Sequence, residues 1–299
     1  MNVCEWWSLR SALAHFVTFR GSTQSQRHIK PLHWYVACRL VVEGGFDPDE
    51  IVPRPPFRFT RKGKRLVLVH DPGVGGGGER TVYGGLKTKS VDVVVTKEGI
   101  GPVLAVSCKG AIGAFRNLTN RMEEAVGDCT NLHIAYPPLV CGYLFVMRAN
   151  RAEEVGRDLG VDEDGSSGDR PPRKLTENDV ALDDQGRPVE SIRRFHAALR
   201  ELADRRGIRN DVSRYEAIAF ALASTEPARA GDIVEDFPEP GGALRFDRFF
   251  DSLYRQYDER FVYAAPDLRK VTARREWDAA SPVFEEAGPT DLDYEPRKT

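Results

Sequence analysis

Hydrophobic and polar positions alternate between two periods along this chain, and the changes of period mark its elements. From Leu32 to Val42 the apolar residues Leu32, Trp34, Val36, Leu40 and Val41 fit an amphipathic helix, which Gly44 and Gly45 stop. Phe46 to Phe59 carries four prolines and is expected to be extended or looped. Arg65 to His70 then predicts a strand, and Asp71 to Glu79, with five glycines, a loop. Two β-branched runs follow, Val91 to Thr96 and Pro102 to Lys109, joined by a short glycine-containing break. They read as a hairpin that brings Asp92 and Lys109 together at one end of a sheet.

Beyond the hairpin, Phe115, Leu118, Met122, Ala125, Val126, Cys129 and Leu132 recur at steps of three and four and predict a long helix over Ala111 to Ile134. Leu139 to Met147 is almost continuously apolar, as expected of a central strand covered on both faces. Ser191 to Arg205 and Leu244 to Tyr257 predict two more amphipathic helices. Tyr215 to Ala223 suits strand or helix, and its place between a helix and a Pro/Gly-bearing loop favours strand. Together these elements predict an α/β fold with a mixed central sheet flanked by helices and with additional C-terminal α/β elements. The expected organisation is an N-terminal arm (1–30), a core (31–150), a flexible insertion or linker (151–190) least ordered around Glu163 to Asp169, C-terminal helices and a strand (191–281) and a frayed tail (282–299).

Composition narrows the function classes. A net charge of −2 over 299 residues gives no global signal for nucleic acid, so local charge must carry any such inference. Five scattered cysteines without CxxC spacing argue against a zinc site or a disulfide framework. The lack of a signal-like N-terminus or a long apolar run leads to the expectation of a cytoplasmic protein. One local feature stands out: Arg54, Arg58, Arg61, Lys62, Lys64 and Arg65, six cations with no acid between Pro53 and His70, interleaved with Phe57 and Phe59. Such a strip suits contacts to a phosphate backbone, and it equally suits a solvated basic loop. Gly73 to Gly78 lacks the Gly-Lys-Ser/Thr ending of a P-loop and reads as a linker or lid. A Cys108–His133 thiol centre is disfavoured by the apolar strand around Cys108.

Asp92 on one strand, Ser107-Cys108-Lys109 on the next, and the helix that follows resemble the PD-(D/E)xK nuclease superfamily, in particular type II restriction endonucleases, over Leu32 to Met147. Asp92 matches the aspartate and Lys109 the lysine, while Ser107 stands where the family usually has an acid. A subgroup with Ser-x-Lys recovers that acid 14 positions after the lysine, and here that position is Glu123. The resemblance implies a restriction-endonuclease-like core and a Mg²⁺ ion held by Asp92, Glu123 and the Cys108 carbonyl. Lys109 would orient or deprotonate the attacking water, with its pKa lowered near the metal, and Ser107 would bond a metal-bound water.

Helical periodicity alone does not separate Glu123 from Glu124, while Arg116 and Asn120 share a face with Glu123 and are secondary candidates for phosphate contact. The implied activity is Mg²⁺-dependent hydrolysis of double-stranded DNA by a sequence-specific enzyme of restriction–modification and phage defence. A homodimer or higher homo-oligomer and a DNA methyltransferase encoded nearby would accompany it. A repair, recombination or RNA-processing nuclease and a decayed DNA-binding protein are the alternatives.

Overall fold

The computed structural model describes residues 3–20, 26–157, 174–285 and 288–299. In chain order its principal elements begin with α1 (Leu9–Thr18), α2 (Lys30–Val42), β1 (Ile51–Val52), β2 (Phe57–Lys62), β3 (Arg65–His70), β4 (Arg80–Val82), β5 (Lys89–Val91), β6 (Val93–Lys97) and β7 (Gly101–Ala111). They continue with α3 (Leu118–Ala135), β8 (Val140–Arg148), α4 (Glu190–Glu201), β9 (Ala217–Ala223), α5 (Phe249–Tyr257) and α6 (Arg269–Thr272).

The central sheet is mixed, in the order β1-β6-β7-β8-β9, with β1, β6 and β7 antiparallel and β7, β8 and β9 parallel. Its two faces are covered by different helices, which explains the unbroken apolar run of β8. Val140, Leu144 and Val146 pack with α1, α2 and α5, whereas Cys141, Tyr143, Phe145 and Met147 pack with α3 and α4. A strand buried on both sides gains nothing from alternation. Gly142 lies where an added Cβ would stand 2.8 Å from the Phe249 ring, so the close approach of α5 requires a glycine there.

The predicted mixed α/β sheet and the helices around it are present, with differences at the edges. β7 runs on to Ala111, and α3 starts only at Leu118, because Ala114 takes a left-handed turn (φ 59°) between them. β2, placed in a proline-bearing segment, forms a separate two-stranded sheet with β3 after the last of those prolines. The segment around Glu163 to Asp169 lies outside the described residues. The flanks of the expected flexible insertion pack firmly: Leu175, Val180, Ala181 and Leu182 are buried, and Leu182 bridges Arg151 and Pro188. Nor does the tail from Pro282 fray. Val283 and Tyr294 are buried, the Trp6 indole N–H donates to the Tyr294 hydroxyl, and Arg297 N–H donates to the Val42 carbonyl. Both departures have one cause, since a minority of apolar residues in a polar segment is enough to anchor it once a surface exists to receive them. Among the described residues no helix is long and apolar enough to cross a membrane.

Candidate active site and a second buried cluster

β6 and β7 pair with Val93 opposite Val106, so Asp92, one step further, sits level with Ser107 at the end of the ladder. Asp92 is almost fully buried, and three donors converge on one of its oxygens. Oδ2 accepts from Cys108 N–H at 2.8 Å, Ser107 Oγ at 3.2 Å and Lys109 Nζ at 3.3 Å. Burial works against the Asp92 charge, but His33, Lys109 and the Cys108 N–H outweigh it and hold the carboxyl below the usual range. Lys109 is moved the other way. Burial lowers its pKa, yet Asp92, Glu124 and Asp128 raise it further, so its net shift is upward. The carboxylates around Lys109, Asp92 first among them, thus favour the ammonium form of Nζ.

A second carboxylate lies against Asp92, and it is Glu79, which sequence reasoning missed. β4 and β5 pair Arg80 with Val91, Thr81 with Ser90 and Val82 with Lys89. Glu79 and Asp92 are the next cross-strand positions at the open end of this hairpin, which holds two acids together that lie 13 apart in sequence. Burial and the Asp92 charge raise the pKa of Glu79, and its Oε1 is buried without a hydrogen-bond partner. A buried carboxylate in contact with a half-buried one is unfavourable unless a proton or a cation lies between them. The signal available in sequence was position: Glu79 follows the glycine-rich loop and precedes a strand that runs back to Asp92.

A cavity of about 170 Å³ opens on these acids, lined by Gln26, Lys30, His33, Trp34, Pro53, Gly77, Gly78, Glu79 and Asp92. His33, on α2, is buried, and a ring N–H donates to the Cys108 carbonyl. Its Nε2 meets no hydrogen-bond partner among the described residues, so the bonded nitrogen is Nδ1. The Cys108 carbonyl, expected as a metal ligand, is thus already engaged by His33.

The acid expected from α3 is placed differently. Glu123 is exposed, as are Arg116 and Asn120 beside it. Glu124 is half-buried, bonded to Arg121 at 2.8 Å, and its charge acts on Lys109 together with that of Asp128 one turn later. Asp128 in turn pairs with Lys89 of the hairpin. α3 therefore presents the Glu124 and Asp128 face, not the Glu123 face, to Lys109.

The basic strip occupies the β2–β3 hairpin. Arg54 pairs with Asp49, Arg58 with Asp71 at 2.8 Å and Arg65 with Asp278 at 3.6 Å. Arg61, Lys62 and Lys64 are exposed at the hairpin tip with no ion pair among the described residues. Phe57 and Phe59 do not interleave with them at the surface, because the period of 2 along β2 turns both inward, onto Trp6 and Trp277.

His133 lies far along α3 from Cys108 and belongs to a separate buried cluster. Its ligand atoms and those of Cys141 and Glu216 lie within 4.8 Å of one another, a spacing that a metal can span. Both ring nitrogens, however, already face backbone carbonyls, Nδ1 that of Val212 at 2.9 Å and Nε2 that of Leu139 at 3.2 Å. Two carbonyls require two N–H donors, which leaves the ring a cation without a free lone pair. Glu216 accepts from Arg205 at 2.9 Å, Arg260 at 2.6 Å and Cys141 N–H at 2.7 Å. We read the cluster as an internal ion network tying α3, β8 and β9 together.

Burial lowers the His133 pKa, but the Cys141 and Glu216 contacts prevail and push it up to about 10. An unfolded histidine titrates near 6.5. The stabilisation from His133 is therefore complete below that value and is lost as pH rises through about 10. The expected result is a urea midpoint that falls between pH 7 and 10, with a smaller fall in His133→Gln; equal falls in both proteins would refute the assignment. No family model, curated protein or solved structure matches this chain.

Proposed function

We propose that the protein is a divalent-cation-dependent DNA endonuclease that hydrolyses phosphodiester bonds by direct water attack. One observation carries this reading: a buried Asp92 bound by Ser107, Cys108 N–H and Lys109, with the Glu79 carboxyl against it and a cavity in front. Glu79 supplies the second acid that the Ser107 position lacks, which favours a working centre over a decayed one. The orphaned Glu79 Oε1 and the close carboxyl pair fit a hard divalent cation, for which Mg²⁺ is the family's expectation.

Such a cation polarises the phosphoryl oxygens and lowers the pKa of a bound water. Asp92 and Glu79 would hold it. Lys109 Nζ, kept protonated by its acidic neighbours, donates toward the attacking water and offsets the negative charge that grows on the phosphoryl oxygens. Ser107 Oγ fixes the Asp92 rotamer. Arg61, Lys62 and Lys64 at the β2–β3 tip meet the phosphate backbone, each neutralised phosphate adding a salt-dependent increment to affinity.

A sequence-specific, restriction-type enzyme acting as a homodimer on duplex DNA is the form of this activity we favour, since twofold symmetry matches antiparallel strands. Incubation with mixed plasmid and phage DNA, with and without EDTA, tests it. Discrete cation-dependent bands support restriction; smearing supports a repair-type nuclease; intact, gel-shifted DNA sinks the catalytic reading. Glu124→Gln is expected to slow cleavage roughly tenfold by removing one charge that acts on Lys109, while Glu123→Gln stays within about twofold of the wild type. Single-turnover rates check this, and a larger effect at Glu123 would return the family's spacing rule to favour.

A further inference from the structure

We propose that the tip of the β4–β5 hairpin is a DNA wedge, with Tyr83 and Leu86 inserting against the stacked bases of the duplex whose scissile phosphate lies at Asp92. The inference deepens the nuclease reading and rests on it for the identity of the substrate. Tyr83 and Leu86 are 79% and 76% exposed, more than any other large apolar side chain among the described residues. Leaving two such side chains in water gains the folded chain nothing. Yet the loop that carries them is firmly built. Asn131 of α3 is buried, its Oδ1 accepts from Leu86 N–H at 2.8 Å and Lys87 N–H at 3.0 Å, and its Nδ2 donates to the Lys87 carbonyl at 2.9 Å. Gly85 N–H donates to the Asn131 carbonyl at 2.8 Å. A Cβ on Gly84 would collide with the Asn131 amide and one on Gly85 with Ile134, so glycine at both positions lets the loop lie this close to α3. The tip is held in one place while its two apolar side chains face outward, which lowers the ordering cost of a contact made there.

Charge and position name the occupant. From Arg80 to Val91 the hairpin carries Arg80, Lys87 and Lys89 and no acid. Lys89 pairs with Asp128, whereas Arg80 and Lys87 are exposed with no ion pair among the described residues, which suits a polyanion. The hairpin also springs from the Glu79 and Asp92 pair. Tyr83 lies four residues beyond Glu79, a distance of about 13 Å at the rise of a strand. α3 supplies a second ruler, since Glu124, whose charge acts on Lys109, and Asn131, which holds the tip, are seven residues apart, or about 10 Å along a helix. At roughly 3.4 Å per base, the tip therefore stands about three to four base steps from the reacting phosphate. Apolar side chains wedge between base steps and aromatic rings stack on bases, while cations beside them take the flanking phosphates. Tyr263 shows that exposure alone does not select such a site: it is 69% exposed, but Asp258, Glu259 and Asp267 lie within five residues of it.

The test uses the full chain in EDTA, so that cation-dependent cutting does not intervene. Affinity for a random-sequence duplex is measured across a salt series, and unwinding by relaxing a plasmid with a cation-independent topoisomerase in the protein's presence. Sedimentation gives the oligomeric state. The proteins are the wild type, Tyr83→Ala, Leu86→Ala, the double variant, Tyr83→Phe, Lys87→Ala and Tyr263→Ala. The wild type should shift the plasmid's linking number. Tyr83→Ala should lose roughly 5- to 100-fold in affinity with its salt slope unchanged, Leu86→Ala should weaken in the same way, and the double variant should lose the linking shift. Lys87→Ala should instead lower the salt slope by about one. Tyr83→Phe and Tyr263→Ala should match the wild type. A double variant that binds and unwinds like the wild type overturns the proposal and leaves the nuclease reading standing. A smaller oligomer in the double variant than in the wild type assigns the tip to a second copy of this chain and overturns it too. A wild type that binds no duplex also overturns it, and one that in addition cuts none with Mg²⁺ removes the nuclease reading as well. A wild type that unwinds DNA through Tyr83 and Leu86 but never cuts it supports the wedge and removes the nuclease reading alone.

Discussion

Lys109→Ala is expected to cut DNA at least roughly 10²- to 10³-fold more slowly than the wild type while binding DNA within a few-fold of it. Among the described residues Lys109 is the one cation hydrogen-bonded to Asp92, and Asp92, Glu124 and Asp128 together raise its pKa. On the proposed nuclease reading, a protonated Lys109 beside the scissile phosphate would act most on the transition state, where the phosphoryl oxygens gain charge, and little on the ground state. The loss should therefore fall on turnover and not on affinity, which the β2–β3 tip would supply. Removing Lys109 also leaves Asp92 and Glu79 with less positive charge nearby, so folding must be checked without a cation. Lys109→Met keeps the side-chain volume and provides that control. Single-turnover cleavage with parallel gel shifts makes the measurement, and retained cutting by either variant would place the catalytic centre elsewhere.

Glu216→Ala should cost about 3–5 kcal/mol of stability, the range for removing one partner of a buried ion pair. Glu216 is buried at the start of β9 and accepts from Arg205 and Arg260, both buried, and its loss leaves those guanidiniums and the His133 cation uncompensated. In a domain of this size that amounts to a fall in melting temperature on the order of 10 °C. Glu216→Gln keeps oxygen acceptance but not the charge, and an intermediate loss is expected. Thermal and urea unfolding at pH 7 decide the matter. A change under about 1 kcal/mol for Glu216→Ala would mean that water reaches the cluster and screens it. Neither variant touches the Asp92 cavity, so cleavage by the folded fraction should persist, which separates this network from the candidate active site.

Much of the sheet was legible because its strands are strongly marked. Val93, Val94 and Val95, Val103 to Val106 and the run through β8 leave few alternatives, and Asp92 and Lys109 meet because the β6–β7 register follows from those runs. α3 was legible in its face but not in its start, since the left-handed residue of the turn is Ala114 and not the neighbouring Gly113. Phe57 and Phe59 were misread as partners of a nucleic-acid strip because a proline-bearing segment hid the strand that turns them inward. The packed tail escaped because Val283 and Tyr294 are isolated among polar residues.

Sequence alone determined the residues whose partners lie nearby along the chain: the hairpin, the position of Asp92 at its end, the Ser-x-Lys face and the helix that follows. The tertiary structure decided everything that depends on what is brought across to meet them. Glu79 joins Asp92 through the register of a short hairpin, and His33 reaches the Cys108 carbonyl from a helix on the opposite face of the sheet. Glu124, not Glu123, turns toward Lys109, because one residue of helix is a rotation of about 100°. Electrostatics follow distance in space, and no pattern along the chain encodes the burial that raises the Glu79 carboxyl, the nearby cations and N–H that lower Asp92 against its own burial, or the packing that leaves one imidazole nitrogen without a partner.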